Sequence, residues 1–321
     1  MNQLADQVST VLKDQRTLPS RKLGLDKAST QKWLFLILAI VPPFGGYLLF
    51  TLFPNILSVY YALLDWDGLT EPKFVGIQNF ITALQDEYVW RALGHNVIFM
   101  ITIPVLVVLI SLLLAYLVTY KSYIENEFLK VLFFFPNVLS IVVVALLWAF
   151  IYDGTYGLLN GALKLMGMDM KNFYWLGSEN TAIWALIPPW VWGGVGLYVI
   201  IFVNAMTAIP KSLYESAILE GASHMTRLFS ITLPLIMPVV RVSVLFLVVG
   251  TLKTFELILI MTNGGPSGST DVIGLYMFNL AFGKEYINYG YASAVGMILF
   301  VILVTAKLLM DKFLPNRGVE Y

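Results

Sequence analysis

YESAILEGASHMTRLFSITLPLIMP, residues Tyr214–Pro238, sets two glutamates, a histidine and an arginine between two very apolar stretches and then closes on two prolines. Ile209-Pro210-Lys211-Ser212 leads into it, and Ser212 with Glu215 three residues on has the form of a capping box. The pattern predicts a short helix from Ser212 to about His224, ended by the prolines. Leu213, Ala217 and Leu219-Glu220 give it an apolar and a charged flank, with the small residues Ser216, Ala217, Gly221 and Ala222 between them. Small side chains admit another protein surface, but the same helix would equally suit the headgroup layer of a bilayer.

The surroundings decide what kind of chain carries this segment. Hydrophobic residues make up 58% and charged residues 12%, which sets the sequence well apart from soluble domains. Crossing a bilayer takes about 20 apolar residues, and runs of that length lie near Trp33–Phe53, Leu93–Thr119, Leu129–Ile151, Ile183–Met206, Ile236–Met261 and Tyr289–Met310. The first run begins well after the initiating methionine with no small-residue cleavage site behind it, so it reads as a retained span. The expected fold is an all-α membrane protein of six transmembrane helices: a 1–32 extension, a 33–312 membrane domain with a loop at about 209–235, and a 313–321 tail.

Lysine and arginine bias orients the spans. Lys13, Arg16, Arg21, Lys22, Lys27, Lys32, Lys121, Lys130, Lys211, Arg227, Lys307, Lys312 and Arg317 fall on one side; Lys73, Arg91, Lys164, Lys171 and Lys284 fall on the other. Both termini and the opening segment are therefore expected in the cytoplasm, with the protein multi-pass in the cell membrane. Zero net charge gives no reason to expect nucleic acid, and the absence of cysteine excludes disulfides and thiolate chemistry. Two histidines, His95 and His224, leave little for a metal centre, and no metal site is expected. No phosphate-binding G-x-x-x-x-G-K-[ST] loop and no hydrolase or zinc-protease motif is present, so no catalytic residue is assigned.

The outer connections are mixed in character. Phe80, Leu84, Tyr88 and Leu93 recur at helical spacing after the first span, predicting an amphipathic surface helix. Pro42, Pro43, Pro104, Pro136, Pro188 and Pro189 interrupt or flank spans and permit bends. In the fifth span, Thr251, Lys253, Thr254 and Glu256 place hydroxyls and charges at membrane depth, where polar groups usually serve a pathway. Lys253 and Glu256, three apart, would alternatively form a self-neutralising pair facing a partner. In the fourth span, Trp190 and Trp192 offer stacking faces beside Gly193, Gly194 and Gly196; an aromatic belt with packing glycines is the competing reading.

Spacing adds a further signal. Glu215-Ser216-Ala217, three residues, Gly221, nine residues and then Ile231-Thr232-Leu233-Pro234 resembles the EAA loop of the permease subunits of binding-protein-dependent ABC importers, with Ser216 in place of the usual alanine. FVGIQNF (Phe74–Phe80), TNGGPSGST (Thr262–Thr270) and YGYASAVGMILF (Tyr289–Phe300) are similar to further signatures of the carbohydrate-type permeases, such as those for maltose and glycerol phosphate. The likeness runs from Trp33 to Lys312 and implies the type I importer fold, in which Glu215, Ser216, Ala217, Glu220, Gly221 and Pro234 belong to a coupling helix that docks on an ATPase.

The same resemblance implies the partners: a second permease subunit forming a heterodimer, two ATPase subunits holding ATP and magnesium, an extracytoplasmic binding protein, a carbohydrate substrate and membrane lipid. No cofactor is implied in this chain, which is expected to be a transport subunit and no enzyme. It also implies that Trp190, Gly194 and Leu197, with Thr251, Lys253, Thr254 and Glu256 of the stretch before TNGGP, lie along the substrate path, to which the stacking reading adds Trp192. Permeases for glycerol phosphate or polyamines share the architecture. An ion-coupled secondary transporter would instead need a carboxylate network in its core, for which Glu256 alone qualifies.

Overall fold

The computed structural model describes residues 27–120, 125–168, 170, 172–283 and 287–313. The extension before residue 27, the tail from residue 314, and Lys121, Lys171 and Lys284 of the charge count lie outside the described residues.

All six apolar runs are mostly helical, with short breaks after Val138 and after Lys253, as backbone that must satisfy its own hydrogen bonds in lipid requires. Gln31–Tyr61, Glu87–Thr119, Glu179–Thr207, His224–Lys253 and Tyr289–Lys312 are each long and apolar enough to cross a membrane. Two further apolar helices, Glu127–Val138 and Ile141–Ile151, meet at 97° and have the length and composition of a sixth span if the bent pair is counted as one.

One compact unit ends at Leu57. In it, α1 (Lys27–Tyr47) contains Pro42 and Pro43 and passes into one π-helical turn, Leu48–Leu52. Trp33, Phe35 and Phe50 stand exposed along it, the pattern of a span clothed by lipid or by another chain. The helix then continues as α2 (Phe53–Tyr61).

The second unit begins at Ser58. A two-stranded ribbon opens it, β1 (Leu64–Asp65) antiparallel to β2 (Lys73–Phe74), with Leu64 opposite Phe74. Asn79, in α3 (Gln78–Gln85), fastens this ribbon: its buried Nδ2 donates to the carbonyls of Ala62 at 3.0 Å and Leu64 at 2.8 Å. The expected amphipathic helix is interrupted at Asp86, whose extended backbone separates α3 from α4 (Glu87–Tyr120). Asp86 Oδ2 accepts hydrogen bonds of 2.6 Å from the hydroxyls of Tyr276 in α14 (Ile273–Phe282) and Tyr291 in α15 (Tyr289–Phe313). These bonds hold its carboxyl below the usual range against the opposing effect of burial.

The remaining elements are α5 (Glu125–Val138), α6 (Ile141–Ile151), α7 (Leu158–Leu165), α8 (Glu179–Ala185), α9 (Ile187–Thr207), α10 (Lys211–Leu219), α11 (His224–Arg227), α12 (Leu233–Lys253) and α13 (Glu256–Met261). At the centre lies α9, packed along α4, α5 and α12. Val195, Val199, Phe202 and Val203 are buried on it, with Val107, Leu186 and Ile236 closing the same core. Close packing is achieved through small residues: a Cβ at Gly196 would lie 2.0 Å from the Phe133 carbonyl oxygen. Ser111 Oγ, buried on α4, donates to the Val195 carbonyl at 3.0 Å.

Three expectations about the boundaries are corrected. The third span is not a straight crossing. Pro136 lies inside α5, which runs on to Val138, and Ser140 caps α6 by accepting from the Val142 amide, so a helix end and a new helix start replace a kink. Prolines do not stop the helix of the opening segment. Pro234 and Pro238 lie inside α12, and Leu228–Thr232 just before it is a second π-helical turn, closed by Leu233 N to Leu228 O. A wider turn relieves the clash between a proline ring and the carbonyl four residues back, and the first π turn stands in the same relation to Pro54. Finally, Lys253 and Glu256 share no helical face: α12 ends at Lys253, Thr254 is extended, and α13 starts at Glu256. Both side chains are exposed, and no ion pair joins them among the described residues.

Candidate functional site

Two regions carry the residues singled out in the sequence. The first is a cavity of about 270 Å³ in the middle of the second unit. Trp190, Gly193, Gly194 and Tyr198 of α9 form one wall, Gly250 and Thr251 of α12 another, and Asn137 closes it from the break between α5 and α6. Helical spacing explains the α9 wall, since positions 190, 194 and 198 lie along one face. Asn137 Nδ2 donates to the Gly193 carbonyl at 3.2 Å, which leaves its second N–H and its Oδ1 for another partner. Thr251 is buried and donates to Val248 O at 2.9 Å, keeping its oxygen lone pairs. No Asp, Glu, Lys, Arg or His is among the described residues of this lining. An aromatic face, a carboxamide and two hydroxyls without charge suit a neutral, polyhydroxylated ligand.

The structure thus brings Trp190, Gly194 and Thr251 together and separates the other candidates. Trp192 points to a different cavity, of about 620 Å³ and mostly apolar, where its ring meets Trp148 edge-on at 6.1 Å. Leu197 is 39% exposed and lines neither cavity. Thr254 Oγ1 returns to the Gly250 carbonyl at 3.1 Å, and Lys253 and Glu256 lie past the end of α12. Asn137 and Tyr198 were not singled out in the sequence. An asparagine beside a proline inside an apolar run was the available signal for the first; nothing distinguishes Tyr198 from a packing aromatic.

The second region is α10 and the turn after it. The helix begins at Lys211 behind Pro210, which has no side-chain cap to offer, so the capping box of Ser212 and Glu215 is not formed. Gly221 ends it. Ala222 N donates to Ala217 O at 2.9 Å and Gly221 N to Ile218 O at 3.0 Å, the paired bonds of a Schellman motif, which places Gly221 at φ +79°. A Cβ on Gly221 would meet nothing within 4 Å, so the glycine is required by backbone conformation and not by a close neighbour in this chain. Ser223 then caps α11, its Oγ accepting from the Thr226 amide at 3.2 Å.

One face of α10 turns inward through Tyr214, whose hydroxyl bonds Thr232 Oγ1 at 3.0 Å, with Ala217 half-buried behind it. The other face is bare: Glu215, Ser216, Glu220 and Gly221 are exposed, with Ile218 54% and Leu219 89% exposed between them. Apolar side chains are thus held out beside carboxylates on one helix face. Pro234 is exposed in the first turn of α12.

At the opposite end of α4, Arg91 lies against Gly268 of the loop Thr262–Thr270, and His95 and Asn96 bind the residues that follow the loop. His95 Nδ1 bonds the Asp271 carbonyl at 2.7 Å, and Asn96 Oδ1 accepts from the Ile273 amide at 2.9 Å. Burial pushes the Asp271 carboxyl up to about 6, against the Val272 amide and Arg91, which favour its ionised form. No group of three or more His, Asp or Glu side chains suited to a metal ion occurs among the described residues.

Residues 90–317 match the family described as binding-protein-dependent transport system inner membrane component. Among curated proteins, the chain is 32% identical to the diacetylchitobiose uptake system permease protein NgcF of Streptomyces coelicolor, over 92% of this chain and 85% of that one. It is 30% identical to the trehalose/maltose transport system permease protein MalF of Thermococcus litoralis, over 84% of this chain and 89% of that one. Among solved structures, it superposes on a chain of a bacterial alginate ABC transporter in complex with a periplasmic protein carrying an alginate pentasaccharide. The TM-score is 0.75 at 23% identity, over 91% of this chain and 99% of that one, a likeness of fold.

Proposed function

The chain belongs to the family of binding-protein-dependent transport system inner membrane components, and from that premise we propose that it forms half of the path by which a sugar or oligosaccharide enters the cell through an ATP-driven importer. The observation that carries the substrate class is the uncharged lining of the cavity around Trp190, Asn137 and Thr251. A polyamine would need carboxylates there and a glycerol phosphate would need cations; a sugar needs stacking faces and hydroxyl partners. The named relatives that handle diacetylchitobiose and trehalose or maltose support the same class.

In this reading, a second, related permease supplies the other half of the path, and an extracytoplasmic binding protein delivers the substrate. Two ATPase subunits hold ATP and magnesium and dock on α10, where Glu215 and Glu220 offer carboxylates beside Ile218 and Leu219. Orientation follows from the excess of lysine and arginine on the side of α10, which puts α10 and both termini in the cytoplasm. The domain plan is a 1–32 extension, a 33–312 permease domain and a 313–321 tail.

The test is uptake by the assembled transporter in proteoliposomes, with substrate chosen by titrating the cognate binding protein against mono- and oligosaccharides. Trp190→Ala should lower uptake while leaving basal ATP hydrolysis near the wild-type rate. Unchanged uptake kinetics would return Trp190 to packing, and a binding protein that takes none of the sugars would overturn the substrate class.

A further inference from the structure

A second polar cavity lies at the α10 end of the bundle, away from the sugar path. Its volume is about 450 Å³, and it is enclosed by the last turns of α4 and α9, the inner side of α10, and α11 with the π turn behind it. Lys211, His224 and Arg227 line it together with the hydroxyl-bearing Thr119, Tyr214 and Thr232, and no carboxylate is among its described lining residues. The Arg227 guanidinium donates from Nη2 to His224 Nδ1, while its Nε–H is buried and has no acceptor. No protein atom among the described residues accepts from that N–H, which leaves it available to an acceptor from outside the chain.

We propose that this cavity binds a phosphate group, presented by an anionic phospholipid headgroup or by a soluble phosphate. Arg227 would supply a planar donor fork and Lys211 a mobile point charge, the pairing that suits a tetrahedral dianion or a phosphodiester. The Tyr214–Thr232 hydroxyl pair, which spends one proton on its own bond, can add one further O–H donor, whereas the Thr119 hydroxyl donates to the Ala115 carbonyl and only lines the cavity. The cavity lies where α4 and α9 leave their apolar runs, the depth at which headgroups sit. A phosphate there would bridge the first turn of α10 to α11 and tie the exposed helix to the bundle beneath it. The site is independent of which solute is carried, so its failure would leave the transport reading intact.

The test is thermal unfolding of the purified full-length protein in neutral detergent. It is titrated separately with dioctanoyl phosphatidylglycerol, dioctanoyl phosphatidylcholine and inorganic phosphate. The expected result is a saturable rise in melting temperature with phosphatidylglycerol and a weaker one with phosphatidylcholine, whose ammonium offsets the phosphate charge. A rise with inorganic phosphate as well identifies a soluble phosphate as sufficient, and its absence identifies the headgroup. Lys211→Gln and Arg227→Gln should each weaken the apparent affinity by about tenfold or more, a loss typical of one charge-assisted contact. Lys307→Gln, exposed on α15, should respond as wild type. Lys211 is exposed on the first turn of α10 and its substitution spares the core, so it carries the test if Arg227→Gln fails to fold. The proposal is overturned if neither phosphatidylglycerol nor phosphate shifts the wild type, if the two lipids act equally, or if Lys211→Gln keeps wild-type affinity.

Discussion

Gly196 brings α9 against the backbone of α5 at Phe133: a Cβ on the glycine would stand 2.0 Å from the phenylalanine carbonyl oxygen. Backbone cannot yield as a side-chain tip can, so Gly196→Ala must part the two helices. Overpacking of this kind costs about 1–3 kcal/mol. Gly193→Ala, one turn earlier with nothing within 4 Å of the new methyl, should stay near wild type. Melting temperatures of the two purified variants decide the matter; equal values would mean that α9 is free to slide.

At Gly221 the demand is conformational. With φ at +79°, alanine there should cost about 1–2 kcal/mol of local order, and asparagine, which tolerates the left-handed region, should cost less. Since the turn is exposed, the bundle should fold in both variants. Substrate-stimulated ATP hydrolysis and ATPase co-purification should fall in the order wild type, Gly221→Asn, Gly221→Ala. The reverse order of the two variants would show that the absence of a side chain, and not φ, is what the partner requires.

Asn137 divides its carboxamide between Gly193 O and the cavity. Asn137→Leu keeps the volume and removes both bonding functions, and should raise the apparent KM for uptake by about tenfold, the value of one neutral hydrogen bond to substrate. Asn137→Asp, which places a charge in an uncharged lining, should impair uptake of a neutral sugar further. Uptake kinetics in proteoliposomes measure both, and wild-type values for the leucine variant would exclude Asn137 from the path.

The buried Asp271 carboxyl makes stability depend on pH in a stated direction. Its proton is held to about pH 6 in the fold, against 3.8 for an ordinary aspartate carboxyl. Below both values, folded and unfolded chains are equally protonated, and the full stability is present. As pH rises through this window the unfolded chain ionises first, so stability declines and remains lower above it. Melting temperature should therefore fall between about pH 4 and 6 in the wild type. Asp271→Asn should flatten that part of the curve; an unchanged slope would assign it to other groups.

The six crossings were legible because about 20 apolar residues in a row have few other uses. What hydropathy lacks is direction. Pro136 was visible as a site for a bend, but the turn of 97° depends on Ser140 capping a new helix, a choice made by local hydrogen bonds. Thr254-Phe255 ends α12 without a glycine or proline, so the separation of Lys253 from Glu256 left no trace in the spacing. In the opening segment a helix was readable, but it ends at Leu219 and not near His224, because Gly221, read from the sequence only as a small residue, closes it in the left-handed region. Ser212 does not cap it and the two prolines do not end it. Pro210 starts α10 a residue early, and a π turn carries the chain past Pro234. Of the cavity, the faces on α9 and α12 followed from helical spacing. Asn137 did not, because it enters the wall only through the fold of a broken span.

That continuous passage has a mechanical consequence. His224–Lys253 is a 30-residue rod, and Arg227 and Thr251 lie near its two ends, about 36 Å apart at 1.5 Å per residue. Pivoted at Arg227, a tilt of about 5° would sweep Thr251 through about 3 Å, the length of one hydrogen bond. A push of small angle against the short helix would thus arrive at the cavity as a stroke long enough to make or break a single polar contact.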